Sequence, residues 1–395
     1  MQFGGTQQAK MAPAGDNPAN LKLMLALYGV AAVRPLGSVL ELLIDGHVPA
    51  RARVNPESSL KLVESDGRAT IEQADSSTGV RVLPEPAFAE RRNGRGIRLG
   101  DLVQIQGGYA VVKLGGGCGL GTPGRACAFC MGRELTEKAG ELWPVEEIVE
   151  AVGAAFEHGE AEFVHFRVGY FPGDDAGVQI LIPYLQAIHH HFDTFVAVTM
   201  HPPATQRAID LSYASGVDIL ACNLEAADEE SMRNFIPGRA RFFGRQRYLD
   251  ALGHAARIFP AGAVWSEILI DLAAPSATAS TMDQLVAMGV VPLLGASASA
   301  AERPALPQPE LLGLPPRSFS AVLKAGINMT WARDLSSVIT PLEGRYFIPD
   351  APQLPALMHQ LARNRLGALT ARSLARMRRR LRVRRVRASF ESSRL

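Results

Sequence analysis

Cysteine is scarce in this chain, with 4 in 395 residues, which excludes the densely cross-linked scaffolds of small secreted proteins. Long apolar runs are also missing. The stretch Leu21 to Val33 is interrupted by Lys22 and falls short of the roughly 20 residues a bilayer span requires. It follows no basic leader and ends on no cleavage-type sequence, so neither a transmembrane segment nor a signal peptide is expected, and a reducing cytoplasm is the default compartment. Nor does one sign of charge dominate: 41 Lys and Arg face 39 Asp and Glu for a net +2, which removes any argument for nucleic-acid binding from overall charge. With 47% hydrophobic and 20% charged residues, disordered, collagenous and coiled-coil classes fall away. No Gly-Lys-Ser/Thr follows the glycine-rich stretch and no G-x-G-x-x-G opens a helix, against a phosphate loop. No repeat period of roughly 20 to 50 residues recurs, against a solenoid.

What is present is unevenly placed. Arg372, Arg376, Arg378, Arg379, Arg380, Arg382, Arg384, Arg385, Arg387 and Arg394 crowd the last 24 residues, leaving the rest of the chain net acidic. A solvated terminal helix is the commonest form of such a tail. Its apolar positions Leu374, Met377, Leu381, Val383 and Val386 keep open a surface for RNA or another nucleic acid, for anionic lipid, or for a docking partner. Cys118, Cys127 and Cys130 lie within thirteen residues of one another, while Cys222 stands alone.

Length allows two or three units of about 150 residues, or one large α/β barrel. Residues 1–20 read as a loose leader, and 21–108 as a small strand-rich or mixed accessory domain with short apolar runs such as Val39 to Ile44 and Leu102 to Ile105. From Tyr109 to about residue 300, short β-branched runs alternate with helical stretches, the pattern of βα units. Strands are expected at Tyr109–Leu114, Phe163–Phe171, Thr194–Met200, Asp218–Glu225, Val264–Leu272 and Val290–Leu294, with helices between them. Residues 301–354 form a proline-rich linker and closing segment, and 355–395 a helical extension ending in the arginine tail.

The segment Gly115 to Cys130, GGGCGLGTPGRACAFC, carries six glycines and three cysteines spaced C-x8-C-x2-C. Glycine permits the tight path needed to wrap several thiolates round one centre. A structural zinc site closes with four ligands, and the next twenty residues supply no fourth Cys or His. An iron-sulfur cube on three thiolates leaves one iron open, which suits catalysis. The loop follows the first strand of the βα series, where barrels carry their reactive groups.

A three-cysteine loop after strand 1, with Phe129 immediately before the last cysteine, resembles the cluster loop of the radical S-adenosylmethionine superfamily, although the family spacing is C-x3-C-x2-C. The resemblance runs in order over about 190 residues. CNLEAADEESMRNFIPGRARFFGRQRYLDAL, Cys222 to Leu252, is similar to strand 4 and the following helix of the branch containing biotin synthase, methylornithine synthase and the hydrogenase maturase. It implies a partial (βα)6 TIM-type barrel, a 4Fe-4S cluster on Cys118, Cys127 and Cys130, and S-adenosyl-L-methionine as second cofactor. One electron, from a donor such as flavodoxin or ferredoxin, would cleave the sulfonium, and the resulting 5′-deoxyadenosyl radical would abstract hydrogen from a small-molecule or peptide substrate. Gly169 falls where the family holds the methionyl amine; no glutamate follows it, and Asp174 and Asp175 are the nearest acids. Asn223 and Glu225 would contact the nucleoside or methionine part, alternation about Leu224 sending both side chains into the barrel. Arg245 would approach the methionine carboxylate, with Arg239 as competitor, and Ser266 the adenosine.

Other polar residues admit plainer readings. Cys222 is expected as a buried strand residue outside the site. His189, His190 and His191, adjacent at a helix end, cannot converge on one metal. His201 is either a substrate contact or a satisfied structural histidine, and Glu225 with Arg245 could form a simple ion pair. The reading from another class is a non-catalytic zinc or iron-sulfur protein acting through its basic tail.

Overall fold

The computed structural model describes residues 18–32, 39–44, 48–65, 67–73, 76–106, 109–122, 124–129, 141–157, 161, 163–192, 194–259, 263–295 and 297. The leader, Cys130, the proline-rich closing segment and the arginine tail lie outside the described residues. Among the described residues no helix is long and apolar enough to cross a membrane.

Two hydrophobic cores organise the described residues. The first begins with a helix, α1 (Pro18–Tyr28), where the sequence pattern pointed only to short apolar runs. Proline at the first helical position is pre-set for that geometry, and Leu21, Met24 and Leu25 recur at helical spacing and are buried. Gly29, at φ +67, ends the helix in the left-handed conformation that glycine adopts without strain. Strands β1 (Ala31–Ala32), β2 (Val39–Ile44), β3 (Val48–Arg53), β4 (Lys61–Ser65), β5 (Arg68–Gln73) and β6 (Ser76–Leu83) follow, forming a sheet in the order β1-β4-β5-β6-β2-β3. In β2, Leu40, Leu42 and Ile44 point inward at period two, opposite the small Ala52 and Ala50 of β3. They share one core with Leu21, Met24 and Leu25 of α1.

The second core begins before residue 109. Phe88, Leu99, Leu102 and Val103 belong to it, and α2 (Leu99–Leu102) leads into β7 (Val103–Gln106), which pairs antiparallel with β8 (Tyr109–Lys113). Residues expected in the accessory domain thus form the leading edge of the larger sheet. Thereafter strand and helix alternate: α3 (Val145–Glu157), β9 (Phe163–Arg167), α4 (Val178–His191), β10 (Val196–Thr199), α5 (Gln206–Ala214), β11 (Ile219–Ala221), α6 (Glu229–Phe235), α7 (Pro237–Phe242), α8 (Gly244–Ile258), β12 (Val264–Leu269), α9 (Pro275–Ala287) and β13 (Val291–Gly295).

The sheet runs β13-β12-β11-β10-β9-β8-β7, with β8 to β13 parallel and in sequence order. Right-handed crossovers that always step the same way put every connecting helix on one face. The opposite face is therefore the concave one, and the architecture is a partial (βα)6 barrel, the cysteine segment leaving the carboxyl end of β8. Its sequence-read strands are present; the first five are shorter than expected, most of all the fourth, which ends at Ala221 instead of Glu225, and the last keeps its length but is shifted by one residue.

Candidate functional site

The cysteine loop leaves β8 through Gly115, Gly116 and Gly117 at φ +80, +71 and +65, three successive left-handed residues that any side chain would strain. It then lies directly on the segment after β9. A Cβ on Gly169 would stand 2.4 Å from the Gly117 carbonyl oxygen and 3.1 Å from Cys118 Cα, so here glycine is required by space. The Gly119 N–H donates to the Tyr170 carbonyl at 3.0 Å, and the Tyr170 N–H donates to Cys118 Sγ at 3.3 Å.

The far half of the loop is fastened to the helices after β11. Ala128 N–H donates to the Phe235 carbonyl at 2.8 Å and Gly238 N–H to the Arg125 carbonyl at 3.1 Å. A Cβ at Gly238 would meet the Arg125 oxygen at 2.4 Å, so α7 also depends on glycine for its approach. Cys127 is buried between these fastenings. Among the described residues no three metal-ligating side chains converge; the third expected thiol, Cys130, is outside them.

Strand 4 reaches the same place by an irregularity that alternation does not foresee. Leu220 N–H donates to Ala263 O and Cys222 N–H to Trp265 O, yet the next bond to β12, into Glu267 O, comes from Glu225 instead of Leu224. One extra residue is therefore inserted, a β-bulge of the kind that re-aims side chains. The displaced Leu224 N–H donates to the Ser266 Oγ at 3.0 Å. Glu225 sits at φ +60, with Ala226 N–H closing a three-residue turn onto the Leu224 carbonyl at 2.7 Å. A non-glycine residue in that region is strained and marks functional sites more often than chance.

The bulge presents Glu225 to Arg239 of α7 at 2.9 Å, the two side chains only 12% and 15% exposed. Arg239 Nη1 also donates to the Asn223 carbonyl at 3.3 Å. Burial raises the Glu225 pKa, Arg239 pulls it back and Glu267 adds to the rise. For Arg239, burial alone would lower the pKa, but Glu225, Tyr248, Cys127 and Cys118 outweigh it and hold the guanidinium charged. Arg239 Nε is buried without a hydrogen-bond partner among the described residues. Asn223 Nδ2 donates to Glu267 Oε2 at 3.2 Å, and the Glu267 N–H returns a bond to Asn223 Oδ1 at 3.3 Å.

An aromatic wall closes the cluster. Tyr170 meets the rings of Phe243 at 5.4 Å and His201 at 6.0 Å, and His201 stacks on Phe243 at 5.1 Å with an interplanar angle of 11°. Burial, then Arg239 and Arg247, lower the His201 pKa well below its ordinary value. Its Nδ1 shares a hydrogen bond with the Tyr248 hydroxyl, 3.1 Å away, whose own pKa burial raises. His201 is thus a satisfied buried group at the edge of the site.

The structure accordingly brings together Cys118, Cys127, Gly169, Asn223 and Glu225. Arg245 is elsewhere: its Nε donates to the Ala227 carbonyl at 3.2 Å and its Nη2 to Thr281 Oγ1 and Gln284 Oε1 at 3.1 and 2.9 Å, tying the bulge loop to α9. Arg239 occupies the place beside Glu225. Ser266 is fully buried and spends its hydroxyl on the bulge. Asp175 caps α4 through Gly177 and Gln179 N–H groups at 3.2 and 2.8 Å, and the Asp174 carbonyl accepts from Ala204. His189 turns to the Gly216 carbonyl, and burial pushes the Cys222 thiol up to about 12. Sequence reasoning missed Glu267, next to the chosen Ser266 and on the opposite face of β12, as well as Tyr170 and Tyr248.

No family model and no curated protein matches the chain. Among solved structures it is similar to HydG, a maturase of the FeFe-hydrogenase, at 16% identity and TM-score 0.39 over 60% of this chain and 49% of that one. It is also similar to a radical SAM methyltransferase from Sphaerobacter thermophilus at 15% identity and TM-score 0.38, over 69% of this chain and 76% of that one. The chain spans about half the length of the first, 49%.

Proposed function

We propose that this chain is a radical S-adenosylmethionine enzyme, with Cys118, Cys127 and Cys130 holding a 4Fe-4S cluster at the carboxyl edge of the barrel. The observation that carries this reading is the meeting, across four successive strand ends, of the Cys118–Cys127 loop with the Glu225–Arg239 pair. The residues fit such a group. The donors are thiols on a glycine path, Cys118 Sγ accepts a main-chain N–H as cluster sulfurs do, and a side chain at Gly169 would displace the loop. Cluster and S-adenosylmethionine together supply, when bound, a reductive cleavage that yields a hydrogen-abstracting carbon radical.

The chain's own groups perform the binding and shielding. Tyr170 N–H stabilises negative charge on Cys118. Arg239, held by Glu225 and the Asn223 carbonyl, offers a fixed cation with Nε free of hydrogen bonds among the described residues, suited to an anionic group on the cofactor or substrate. The Asn223–Glu267 pair offers hydroxyl-binding groups, and the wall of Tyr170, His201 and Phe243 excludes water from one side. The substrate is a small molecule or peptide, and the electron comes from a protein donor of the flavodoxin or ferredoxin type.

Anaerobic reconstitution tests this directly. About four irons and four sulfides per chain, lost in the Cys118→Ala, Cys127→Ala, Cys130→Ala triple variant, are expected, with 5′-deoxyadenosine released when reductant and S-adenosylmethionine are added. One equivalent of zinc without sulfide would sink the proposal.

A further inference from the structure

Arg239 is placed where it does more than pair with a carboxylate. The helix that carries it is drawn onto the cysteine loop by the bond from Gly238 N–H to the Arg125 carbonyl, and the end of α6 before it by the bond from Ala128 N–H to the Phe235 carbonyl. The guanidinium is almost enclosed, at 15% exposure, and its direction is fixed by Glu225 at 2.9 Å and the Asn223 carbonyl at 3.3 Å. Arg239 directly follows Gly238, whose partner Arg125 stands two residues before Cys127, so the cation is carried against the stretch of loop that bears the thiols. A charge this buried is weakly screened by salt and water.

We infer that Arg239 is an electrostatic tuning residue: a permanent cation, braced by Glu225 and Asn223, that raises the reduction potential of the cluster held by the cysteine loop. This rests on the radical S-adenosylmethionine reading of the site. Reduction adds one electron to a cluster already carrying thiolate charge, and a fixed positive charge beside the thiolates stabilises the more negative, reduced state. Glu225 carries the opposite charge 2.9 Å from the guanidinium and opposes that effect, so the two members of one ion pair act with opposite sign. A role confined to packing would move both variants alike.

The experiment is a dithionite titration of the reconstituted, full-length chain without S-adenosylmethionine, one electron passing from dithionite through mediators to the cluster, read by electron paramagnetic resonance. Arg239→Met is expected to make reduction about tenfold less favourable, a fall of about 60 mV in midpoint for a one-electron couple, while Arg239→Lys, which keeps the charge, stays near wild type. Should Arg239→Met fail to take up iron, Glu225→Gln decides, and its midpoint rises. An unchanged midpoint in a fully loaded Arg239→Met protein, an Arg239→Lys midpoint that falls as far, or a Glu225→Gln midpoint that does not rise overturns the inference. Absence of any iron-sulfur centre in the wild-type chain would instead overturn the function proposed above.

Discussion

Gly169→Ala isolates the contact on which the cysteine loop rests. The added Cβ would lie 2.4 Å from the Gly117 oxygen and 3.1 and 3.2 Å from Cys118 Cα and Cβ. Ordinary carbon–oxygen contact needs about 0.6 to 1.0 Å more. The Gly117 oxygen belongs to main chain and cannot rotate away, so the loop itself must lift. A lift of that size takes the 3.0 Å bond from Gly119 N–H to the Tyr170 carbonyl to roughly 3.6 Å or beyond, outside hydrogen-bond range. Overpacking costs about 1 to 3 kcal/mol and the lost bond about 1 kcal/mol, so a loss near 3 kcal/mol is expected. For a core of this size that lowers the melting temperature by roughly 6 to 12 °C. Thermal unfolding of the apo protein measures it, and iron and sulfide content after reconstitution measures displacement of Cys118. Gly94→Ala, where an added Cβ meets nothing within 4 Å, is the control and should match wild type in both. A Gly169→Ala protein that melts within a degree of wild type and loads a full cluster would refute the contact as described.

Removing one member of the Glu225–Arg239 pair leaves the other charge buried, so Glu225→Leu and Arg239→Met each lose about 3 to 5 kcal/mol in urea unfolding, and the double variant recovers much of it; additive losses would show that the pair is not coupled. His201 is buried neutral, so below its ordinary pKa of 6.5 the unfolded chain binds a proton that the native state refuses. Stability therefore falls as pH drops below 6.5, by up to about 1.4 kcal/mol per pH unit, and His201→Phe should flatten that slope in urea titrations at pH 7, 6 and 5. An unchanged slope would place the titration elsewhere. With its thiol pushed up to about 12, Cys222 should resist iodoacetamide at pH 8 in the native protein and react only after unfolding, as read by mass mapping; modification in the native state would show that it is accessible.

The barrel was legible because βα units write two periods into the sequence, and each expected strand from Tyr109 onward has its counterpart. The first core was less so. Its opening helix is short and its apolar run is interrupted by Lys22, and most of Leu102 to Ile105, which has the texture of an accessory strand, turns out to pair with β8. Within the site, Asn223 and Glu225 were found for a reason that the structure replaces. Alternation treats strand 4 as regular, whereas a bulge delivers them, and no pattern of side-chain types announces one extra residue. The choice between Arg239 and Arg245 depended on Pro237 opening a separate short helix, so that two arginines one turn and a half apart face different neighbours. Glu267 escaped because the small polar Ser266 was preferred to it; adjacent strand residues face opposite ways, and the carboxylate is the one paired with Asn223.

Among the described residues the cysteine loop is fastened by main-chain bonds to Tyr170 at one end and to Phe235 and Gly238 at the other. Separation along the chain is thereby decoupled from separation in space. The residues between Cys118 and Cys127 form a detour that crosses to α7 and returns, and its length is set by that crossing. The eight-residue gap is thus a different route between two anchored points, and substitutions at an exposed position along it such as Thr122 should leave the positions of the two thiols unchanged.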